Sequence, residues 1–376
     1  MGDHTSAAAA RTQIRPVIRP GRKLRVLVVD DSVVLRRLVS HALNEDTGLE
    51  VVGSAANGAI ALHKIPQVNP DVITLDVEMP VMNGIETLRQ IRQQYPNLCV
   101  IMFSTLTERG ASTTIEALML GANDYVTKAS NVGSLDRSLA RLRDELVPKI
   151  KQFFLFAEKA VAPAPPAPAA STRPRTPVPA QVSNLHKQRK VVAIGVSTGG
   201  PSALAEIMPS FPADFSLPIL IVQHMPPMFT RLLAERLQTR SKFQVVEAAE
   251  GMLVEPRKAY IAPGNYHMRL ARDGSQIRIA LDQAPPENSC RPAVDVMFRS
   301  VCEIYGGAVV GAILTGMGQD GLRGVEHLKA EGAYIIAQDN DSSVVWGMPG
   351  VIVNAGLADA VRDLKSVVPE ILKQVN

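Results

Sequence analysis

The stretch VVAIGVSTGGP, residues 191–201, joins an apolar run to a turn of glycine and small polar residues. An uninterrupted apolar run of this length, bounded by a glycine-rich turn, is typical of a strand buried on both faces of a parallel sheet. Pro201 suits the first turn of a following helix, where the missing N–H group is not needed. The stretch therefore predicts a strand–turn–helix unit with Ser197 in the turn.

Similar apolar runs occur on both sides of this unit, and amphipathic segments such as residues 33–43 and 84–94 lie between them. Strands that alternate with helices predict parallel sheets covered by helices. The fold class that we expect is α/β, with two doubly wound parallel-sheet domains, a flavodoxin-like one and a larger Rossmann-like one. The other predicted strands are 24–29, 51–55, 72–75, 100–103 and 125–127, then 218–223, 258–262, 309–315 and 333–337.

A segment rich in proline and alanine, residues 161–181, separates the two halves. It cannot bury enough apolar surface to offset the entropy of ordering, and dense proline favours an extended spacer. The organisation that follows is a flexible tail over 1–21, a first domain over 22–150, a linker over 151–189 and a second domain over 190–374.

Composition points to an ordinary cytoplasmic protein. The net charge of +4 over 376 residues calls for no nucleic-acid partner, and no apolar run approaches the length of about 18 residues that membrane insertion needs. The three cysteines, Cys99, Cys290 and Cys302, form no CxxC pair and fit reduced thiols.

Polar residues end several strands of the first half. Asp30 and Asp31 follow one strand, Asp76 ends another, and Ser104 and Lys128 follow two more. Carboxylates that meet at one sheet edge suit Mg²⁺, and a hydroxyl and a lysine beside them suit a phosphoryl group on aspartate. The alternative is that the first two aspartates cap a helix while the third is a loop residue.

Residues 24–146 resemble the receiver domain of two-component response regulators. The motifs that carry the resemblance are VLVVDDS (26–32), DVITLDVEMPVMNG (71–84) and DYVTK (124–128). One departure is Ala129, since the family usually has proline after the lysine.

This resemblance implies a phosphorylation site and its phosphodonor, a chemotaxis-type histidine kinase. It implies that Asp76 accepts the phosphoryl group, which Ser104 and Lys128 contact. The implied Mg²⁺ ligands are Asp30, Asp31, Asp76 and the backbone carbonyl of Glu78.

The turn around Ser197 matches the G-x-S-x-G pattern of a nucleophile elbow, although small residues at such a turn also bind phosphates. A serine nucleophile needs a base, and His224 directly follows the predicted strand 218–223, at the same sheet edge. His267 is a poorer candidate after a Gly-Asn turn, and His327 fits the exposed face of a helix.

Asp320 is the candidate that would orient the base. It follows the predicted strand 309–315 and lies among three glycines, which allow close approach of the backbone to a reacting group. It could instead cap a helix that begins near Leu322. The order Ser–His–Asp differs from that of α/β-hydrolases, so the triad chemistry could occur on another topology.

Residues 190–374 resemble the catalytic domain of the chemotaxis protein-glutamate methylesterases. The shared motifs are GVSTGGP (195–201), QHMPP (223–227), APGNYH (262–267), RPAVDVMFRS (291–300), TGMGQDG (315–321) and VVWGMPG (344–350). The resemblance implies a triad of Ser197, His224 and Asp320, with Met317 as a backbone oxyanion donor and no cofactor in this domain.

The implied function is a phosphorylation-activated methylesterase. Its substrate would be methylated glutamate on chemoreceptors, and deamidation of glutamine would use the same acyl chemistry. A receiver docked over the active site would block it until Asp76 is phosphorylated. Two alternatives are an interaction module without activity and a nucleic-acid-binding output domain, for which the second half is too large and too neutral.

Overall fold

The computed structural model describes residues 17–18, 21–105, 107–128, 135–156 and 188–375. Ala129 and most of the predicted linker lie outside the described residues. Two sheets with helices on their faces account for most of the described chain.

The first domain alternates strands and helices along the chain. Its elements are β1 (Val17–Ile18), β2 (Leu24–Val29), α1 (Val33–Asn44), β3 (Leu49–Ala55), α2 (Gly58–Val68), β4 (Val72–Asp76), α3 (Gly84–Gln94), β5 (Cys99–Ser104), α4 (Glu108–Met119), β6 (Asp124–Thr127), α5 (Leu135–Lys151) and β7 (Leu155–Phe156).

The main sheet of this domain has the strand order β3-β2-β4-β5-β6, and all its strands are parallel. Side chains of β2 alternate between the two faces: Leu27 packs in the core beneath α2, α3 and α4, whereas Val26 and Val28 pack in the core beneath α1 and α5. This is the doubly wound arrangement that the sequence predicts.

Local signals set the helix ends. The side chain of Asn83 accepts a hydrogen bond from the backbone of Glu86, and the side chain of Glu86 accepts one from the backbone of Asn83. This reciprocal capping satisfies two of the free N–H groups at the start of α3. The start of α3 therefore follows from the sequence alone.

The second domain contains the longer sheet. Its elements are β8 (Val191–Val196), α6 (Gly200–Ile207), β9 (Ile219–Gln223), α7 (Phe229–Gln238), β10 (Gln244–Glu247), β11 (Lys258–Ile261), β12 (His267–Asp273), β13 (Gln276–Asp282), α8 (Val294–Tyr305), β14 (Val309–Ile313), α9 (Leu322–Ala330), β15 (Tyr334–Gln338), α10 (Met348–Asn354), β16 (Ala360–Arg362) and α11 (Leu364–Val375).

Seven parallel strands form this sheet in the order β10-β11-β9-β8-β14-β15-β16. Strand β8 is central, with β9 on one side and β14 on the other. Ser197, His224 and Asp320 follow β8, β9 and β14, so the candidate residues come from three adjacent strands.

The structure adds strands that the sequence analysis lacks. Strands β10 and β16 extend the sheet at its two edges, and β12 pairs with β13 in an antiparallel hairpin. The hairpin strands carry exposed arginine and aspartate side chains toward the turn, as strands with one solvent-facing side do. Their polarity hides them from a search for apolar runs.

Contacts of the first domain extend beyond residues 22–150. Helix α5 ends at Lys151, and Phe153 and Phe154 beyond it are buried in the core that contains side chains of α1 and α5. Strand β7 then pairs with β1, which lies in the segment predicted as a flexible tail. The folded unit is thus longer than residues 22–150 at both ends.

The two domains contact each other through α4, which packs on α6 and α7. The ring of Tyr125, in β6 of the first domain, stacks on Phe229 at the start of α7, with centroids 4.9 Å and planes 12° apart. At the rim, Arg231 contacts Glu108 at 2.6 Å. The aromatic core and charged rim are typical of a specific domain interface.

Among the described residues, no helix is both long enough and apolar enough to cross a bilayer.

Ile194 is buried in the central strand β8, so its substitution tests how much the core of the second domain contributes to stability. We expect Ile194→Ala to lower the free energy of unfolding of this domain by about 2–5 kcal/mol, because the side chain is fully buried and its removal leaves a cavity. Val361→Ala, on edge strand β16 and 41% exposed, is the matched control, with an expected change of about 0.5 kcal/mol or less. Urea unfolding followed by the fluorescence of Trp346 measures both, and equal losses would contradict this account of the core.

Candidate functional site

Three carboxylates meet at the carboxyl edge of the first sheet. Asp30 and Asp76 are buried there and Asp31 is exposed, with one oxygen of each lying within 4.8 Å of the others. The helix-cap alternative is not observed for these aspartates, because the hydroxyl of Ser32 caps α1. Asp30 instead accepts a hydrogen bond from the backbone of Ser32 at 2.8 Å.

Lys128 neutralises part of this charge. Its Nζ lies 2.7 Å from Asp76 Oδ2 and 3.0 Å from Asp30 Oδ2, reaching both from the end of β6. Burial raises the pKa of Asp76 to about 6, even though the hydrogen bond and charge of Lys128 work against the rise. Burial also works to lower the pKa of Lys128, but the two carboxylates outweigh it and raise that pKa.

The donor set of this pocket fits a magnesium ion. Three carboxylates at one point, one of them open to solvent, are the hard oxygen ligands that Mg²⁺ takes together with water. Glu78 turns an exposed side chain outward, and its backbone N–H lies 3.4 Å from Asp76 Oδ1. Its predicted role as a backbone-carbonyl ligand stays a prediction.

Ser104 lies at the end of β5, next to β4, and is fully buried. Its hydroxyl hydrogen-bonds to the carbonyl oxygens of Thr105 and Gly110, each at 3.1 Å. It is therefore engaged with the start of α4 in this conformation, and its predicted contact with a phosphoryl group stays a prediction.

In the second domain, Ser197 occupies the turn between β8 and α6. Gly199 has the left-handed φ of 80° that the turn requires. Gly316 lies against the serine from the neighbouring loop, and a Cβ atom there would come within 2.9 Å of the Cβ of Ser197. The glycines on both sides of the turn thus allow a tight strand-to-helix connection beside a second loop.

Gln223 holds this turn from the adjacent strand. Its side-chain amide donates to the carbonyl of Ser197 at 3.0 Å, and the residue is buried at the end of β9. The next residue, His224, is thereby placed at the same sheet edge as the serine. Its Nε2 atom lies 2.7 Å from Asp320 Oδ2.

Asp320 accepts hydrogen bonds from the N-terminus of α8. The backbone N–H groups of Val294 and Asp295 donate to it at 2.7 and 3.0 Å, and Gly321 N–H donates at 3.0 Å. The helix dipole also favours a negative charge at this position. The alternative in which Asp320 caps the next helix is wrong: Gly321 occupies the cap of α9, with no side-chain hydrogen bond.

The charges of the His224–Asp320 pair stabilise each other. Burial works to lower the pKa of His224, but hydrogen bonds with Asp320 and Cys290 raise that pKa to about 9. Burial works to raise the pKa of Asp320, but the histidine and the backbone donors outweigh it and lower that pKa. At neutral pH the structure therefore favours an imidazolium–carboxylate pair.

The hydroxyl of Ser197 makes no hydrogen bond to any described residue, so the serine–histidine contact of a working triad is not formed here. Two backbone N–H groups near it, those of Thr198 and Met317, likewise have no partner in the described part of the chain. Such free donors beside a nucleophile are the groups that an oxyanion would use. Met317 itself is 46% exposed.

The other histidines lie elsewhere, as the sequence analysis expects. His267 is fully buried, with Nδ1 accepting from Ala293 N–H and Nε2 lying 3.2 Å from the carbonyl of Pro285. It thus has a structural environment of its own. His327 is exposed on α9.

Four residues that the sequence analysis does not single out contact the site. They are Gln223, Asn288, Cys290 and Asp295. Three of them lie in or next to the motifs QHMPP and RPAVDVMFRS. These motifs contain more residues than the triad requires, and this was the signal in the sequence that further residues contact the site.

Residues of the first domain contact the segment around Ser197. The hydroxyl of Thr198, next to the candidate nucleophile, lies 3.4 Å from the side-chain oxygen of Gln152, just beyond α5. The half-buried side chain of Val344 and the buried Val345, after β15, pack against the core formed by α1 and α5. The interface therefore borders the Ser197 turn.

Family models match both domains. The model for the CheB methylesterase covers residues 192–371, and that for the response regulator receiver domain covers residues 26–140. A protein-glutamate methylesterase/protein-glutamine glutaminase of Trichodesmium erythraeum is 51% identical over 94% of this chain and 99% of its own length. The chain belongs to the CheB methylesterase family.

A second relative agrees with this membership. A protein of the same name from Nocardioides sp. is 47% identical over 94% of this chain and 95% of its own length. The crystal structure of the Thermotoga maritima CheB methylesterase catalytic domain is 41% identical, covering 49% of this chain and 98% of that one, with a TM-score of 0.49. The matches with the two methylesterase/glutaminase relatives thus extend over most of both chains.

The raised pKa of His224 predicts a pH-dependent stability. The rise from the ordinary 6.5 to about 9 stabilises the folded state fully below pH 6.5, and this stabilisation is lost as pH rises through 9. Its size is on the order of 3 kcal/mol. Urea unfolding at pH 6 and pH 9.5 should show a larger fall for the wild type than for His224→Gln, and equal falls would contradict the pairing.

Proposed function

We propose that this chain hydrolyses glutamyl methyl esters on chemoreceptors, with Ser197 as nucleophile, His224 as base and Asp320 as orienting acid. The observation that carries the proposal is the buried 2.7 Å His224–Asp320 pair beside a nucleophile turn on the neighbouring strand. The names of the relatives identify glutamate esters and glutamine amides as their substrates.

The roles of the two ring nitrogens follow from the contacts of Asp320. An ionised carboxylate only accepts hydrogen bonds, so His224 Nε2 carries the proton that faces it. The remaining nitrogen, Nδ1, is then the base that takes the proton of Ser197. Asp320 holds this tautomer and stabilises the imidazolium that forms.

The reaction follows in two halves. The serine oxygen attacks the ester carbonyl while its proton passes to Nδ1, and the oxyanion is held by the free backbone N–H groups of Met317 and Thr198. Methanol leaves with the proton from the imidazolium. Water, deprotonated by the same nitrogen, then hydrolyses the acyl-serine to the carboxylate, and a glutamine amide would release ammonia by the same steps.

The docked conformation disfavours this chemistry. The hydrogen bonds with Asp320 and Cys290 raise the pKa of His224 to about 9, and only the neutral ring can accept the proton of Ser197. The serine–histidine hydrogen bond is also not formed. Both features fit a resting enzyme that must be activated.

Activation would come from the first domain, which we propose to be phosphorylated on Asp76 by a chemotaxis-type histidine kinase. Mg²⁺, held by Asp30, Asp31 and Asp76, would supply positive charge for the phosphoryl oxygens. Lys128 already contacts Asp76 at 2.7 Å and would pair with the phosphoryl group instead. The proposed place of action is the cytoplasm, where kinase and receptor tails are accessible.

The interface explains how this signal could reach the catalytic site. Helix α4 packs on α6 and α7, which follow Ser197 and His224 in the chain. On the side of the first domain, the hydroxyl of Ser104 contacts Gly110 in α4, and the ring of Tyr125 stacks on Phe229. A docked receiver would shield the site from a long helical substrate, and phosphorylation would favour release.

Methanol release from methylated receptor, with and without acetyl phosphate and Mg²⁺, tests the proposal. We expect activity that rises about ten-fold or more on phosphorylation, for which a bias of about 1.4 kcal/mol is enough. Ser197→Ala should abolish it under both conditions, while Asp76→Asn should keep the basal rate and lose the rise. A Ser197→Ala variant with undiminished turnover would overturn the nucleophile assignment.

The rim pair offers a separate test of docking. Glu108→Arg places like charges opposite Arg231, so we expect the unphosphorylated basal rate to increase about two-fold or more. Glu116→Arg, on the same helix but paired with Arg89 inside the first domain, is the matched control and should leave the rate unchanged. Combining Glu108→Arg with Arg231→Glu should restore the low rate, and failure to do so would argue against occlusion.

A further inference from the structure

A sharp turn over residues 287–290 lies against the His224–Asp320 pair. Glu287 and Cys290 exchange two backbone hydrogen bonds, at 2.9 and 3.1 Å, and close the turn. The carboxylate of Glu287 also forms a two-pronged ion pair with Arg299 of α8, at 2.7 and 2.5 Å. The turn is thus fastened to the helix whose N-terminus holds Asp320.

Asn288 projects from this turn toward two carboxylates. Its side-chain nitrogen donates to Asp320 Oδ1 at 3.0 Å and to Asp295 Oδ2 at 2.9 Å. The residue has a left-handed φ of 52°, which asparagine tolerates better than most residues. One amide group therefore bridges two buried acids that would otherwise repel each other.

Cys290 contacts the other member of the pair. Its Sγ lies 3.5 Å from His224 Nδ1, the nitrogen opposite to the one that faces Asp320. A thiol can donate to that nitrogen when the ring is neutral and accept from it when the ring is charged. Nδ1 is also the nitrogen that the proposed mechanism assigns to the proton of Ser197.

We infer that the turn 287–290 is a positioning clamp for the catalytic base: Asn288 holds Asp320 in place, and Cys290 occupies the reactive Nδ1 of His224 in the resting site. The inference rests on the proposed triad. Cys290 and Ser197 then compete for one nitrogen, which accounts for a serine hydroxyl without a hydrogen bond. Asn288 contacts Asp320 and Cys290 contacts His224, so both residues act through the base.

The clamp residues act on the charge of His224 in opposite directions. The sulfur of Cys290 stabilises the charged ring by accepting from Nδ1. The amide of Asn288 donates to Asp320 and offsets part of its negative charge. The carboxylate therefore stabilises the charged ring less strongly. The other charged groups around the pair are Asp295, Glu287 and Arg299.

The test is the imidazole titration of His224 in the full chain, followed by NMR with ¹⁵N-labelled histidine and assigned with His224→Gln. We expect Cys290→Ala to lower the titration midpoint of His224 by about one pH unit, a ten-fold change in the protonation equilibrium. We expect Asn288→Ala to raise the midpoint, because the carboxylate regains its full charge. A residue with a merely structural role would not produce shifts of opposite sign.

Three further variants keep the result interpretable. Cys290→Ser retains a weaker hydrogen-bonding group and should give a midpoint between those of the wild type and Cys290→Ala. Ser289→Ala, in the same turn, and Cys302→Ala, a half-buried thiol on α8, should leave the midpoint unchanged. Unchanged midpoints in both clamp variants, or shifts in the same direction, would overturn the inference.

Activity gives a second, separable readout. In methanol release, the acid limb of the kcat/KM profile should move to lower pH in Cys290→Ala and to higher pH in Asn288→Ala. A wild type without any methanol release would contradict the proposed function, while the NMR midpoints would still decide the clamp.

Discussion

Burial of the Asp320 carboxylate constrains the whole second domain. A carboxylate away from water is tolerated only if donors surround it, and this one receives five hydrogen bonds. The donors come from the end of β9, the turn 287–290, the first residues of α8 and the residue that follows Asp320. Because each donor must point at the same group, this one charge holds four segments of chain at fixed distances around the Ser197 turn.

The acidic pocket of the first domain differs from this site, although its central residue, Asp76, is also a buried aspartate. This pocket has fewer donors: burial raises the pKa of Asp76 to about 6, although Lys128 and the backbone N–H of Glu78 work against the rise. Burial and the like charge of Asp30 both oppose ionisation of Asp76. The carboxylate of Asp320 is therefore stabilised in its charged form, whereas burial works against the charge of Asp76.

Apolar runs identified the core of both sheets well, because strands buried on both faces leave no room for polar side chains. The start of α3 was equally readable from its capping residues. Strands β10 and β16 and the hairpin β12–β13 were missed because they are short or open to solvent on one side, so polar residues interrupt their pattern. Local patterns also do not show that Phe153 and Phe154 belong to the first domain, because these residues pack against parts of the core that are distant in sequence.

Apolar runs and glycine-rich turns were enough to predict the two α/β domains and the positions of Ser197, His224 and Asp320 at strand ends. This was possible because parallel strands bring their carboxyl ends to one edge, whatever the rest of the chain does. The folded arrangement was needed to establish that Nε2 of His224 faces Asp320 and that Cys290 contacts Nδ1. Those residues are 96 and 66 positions apart from the histidine, and their distances depend on how α8 and the turn 287–290 pack, which no local pattern encodes.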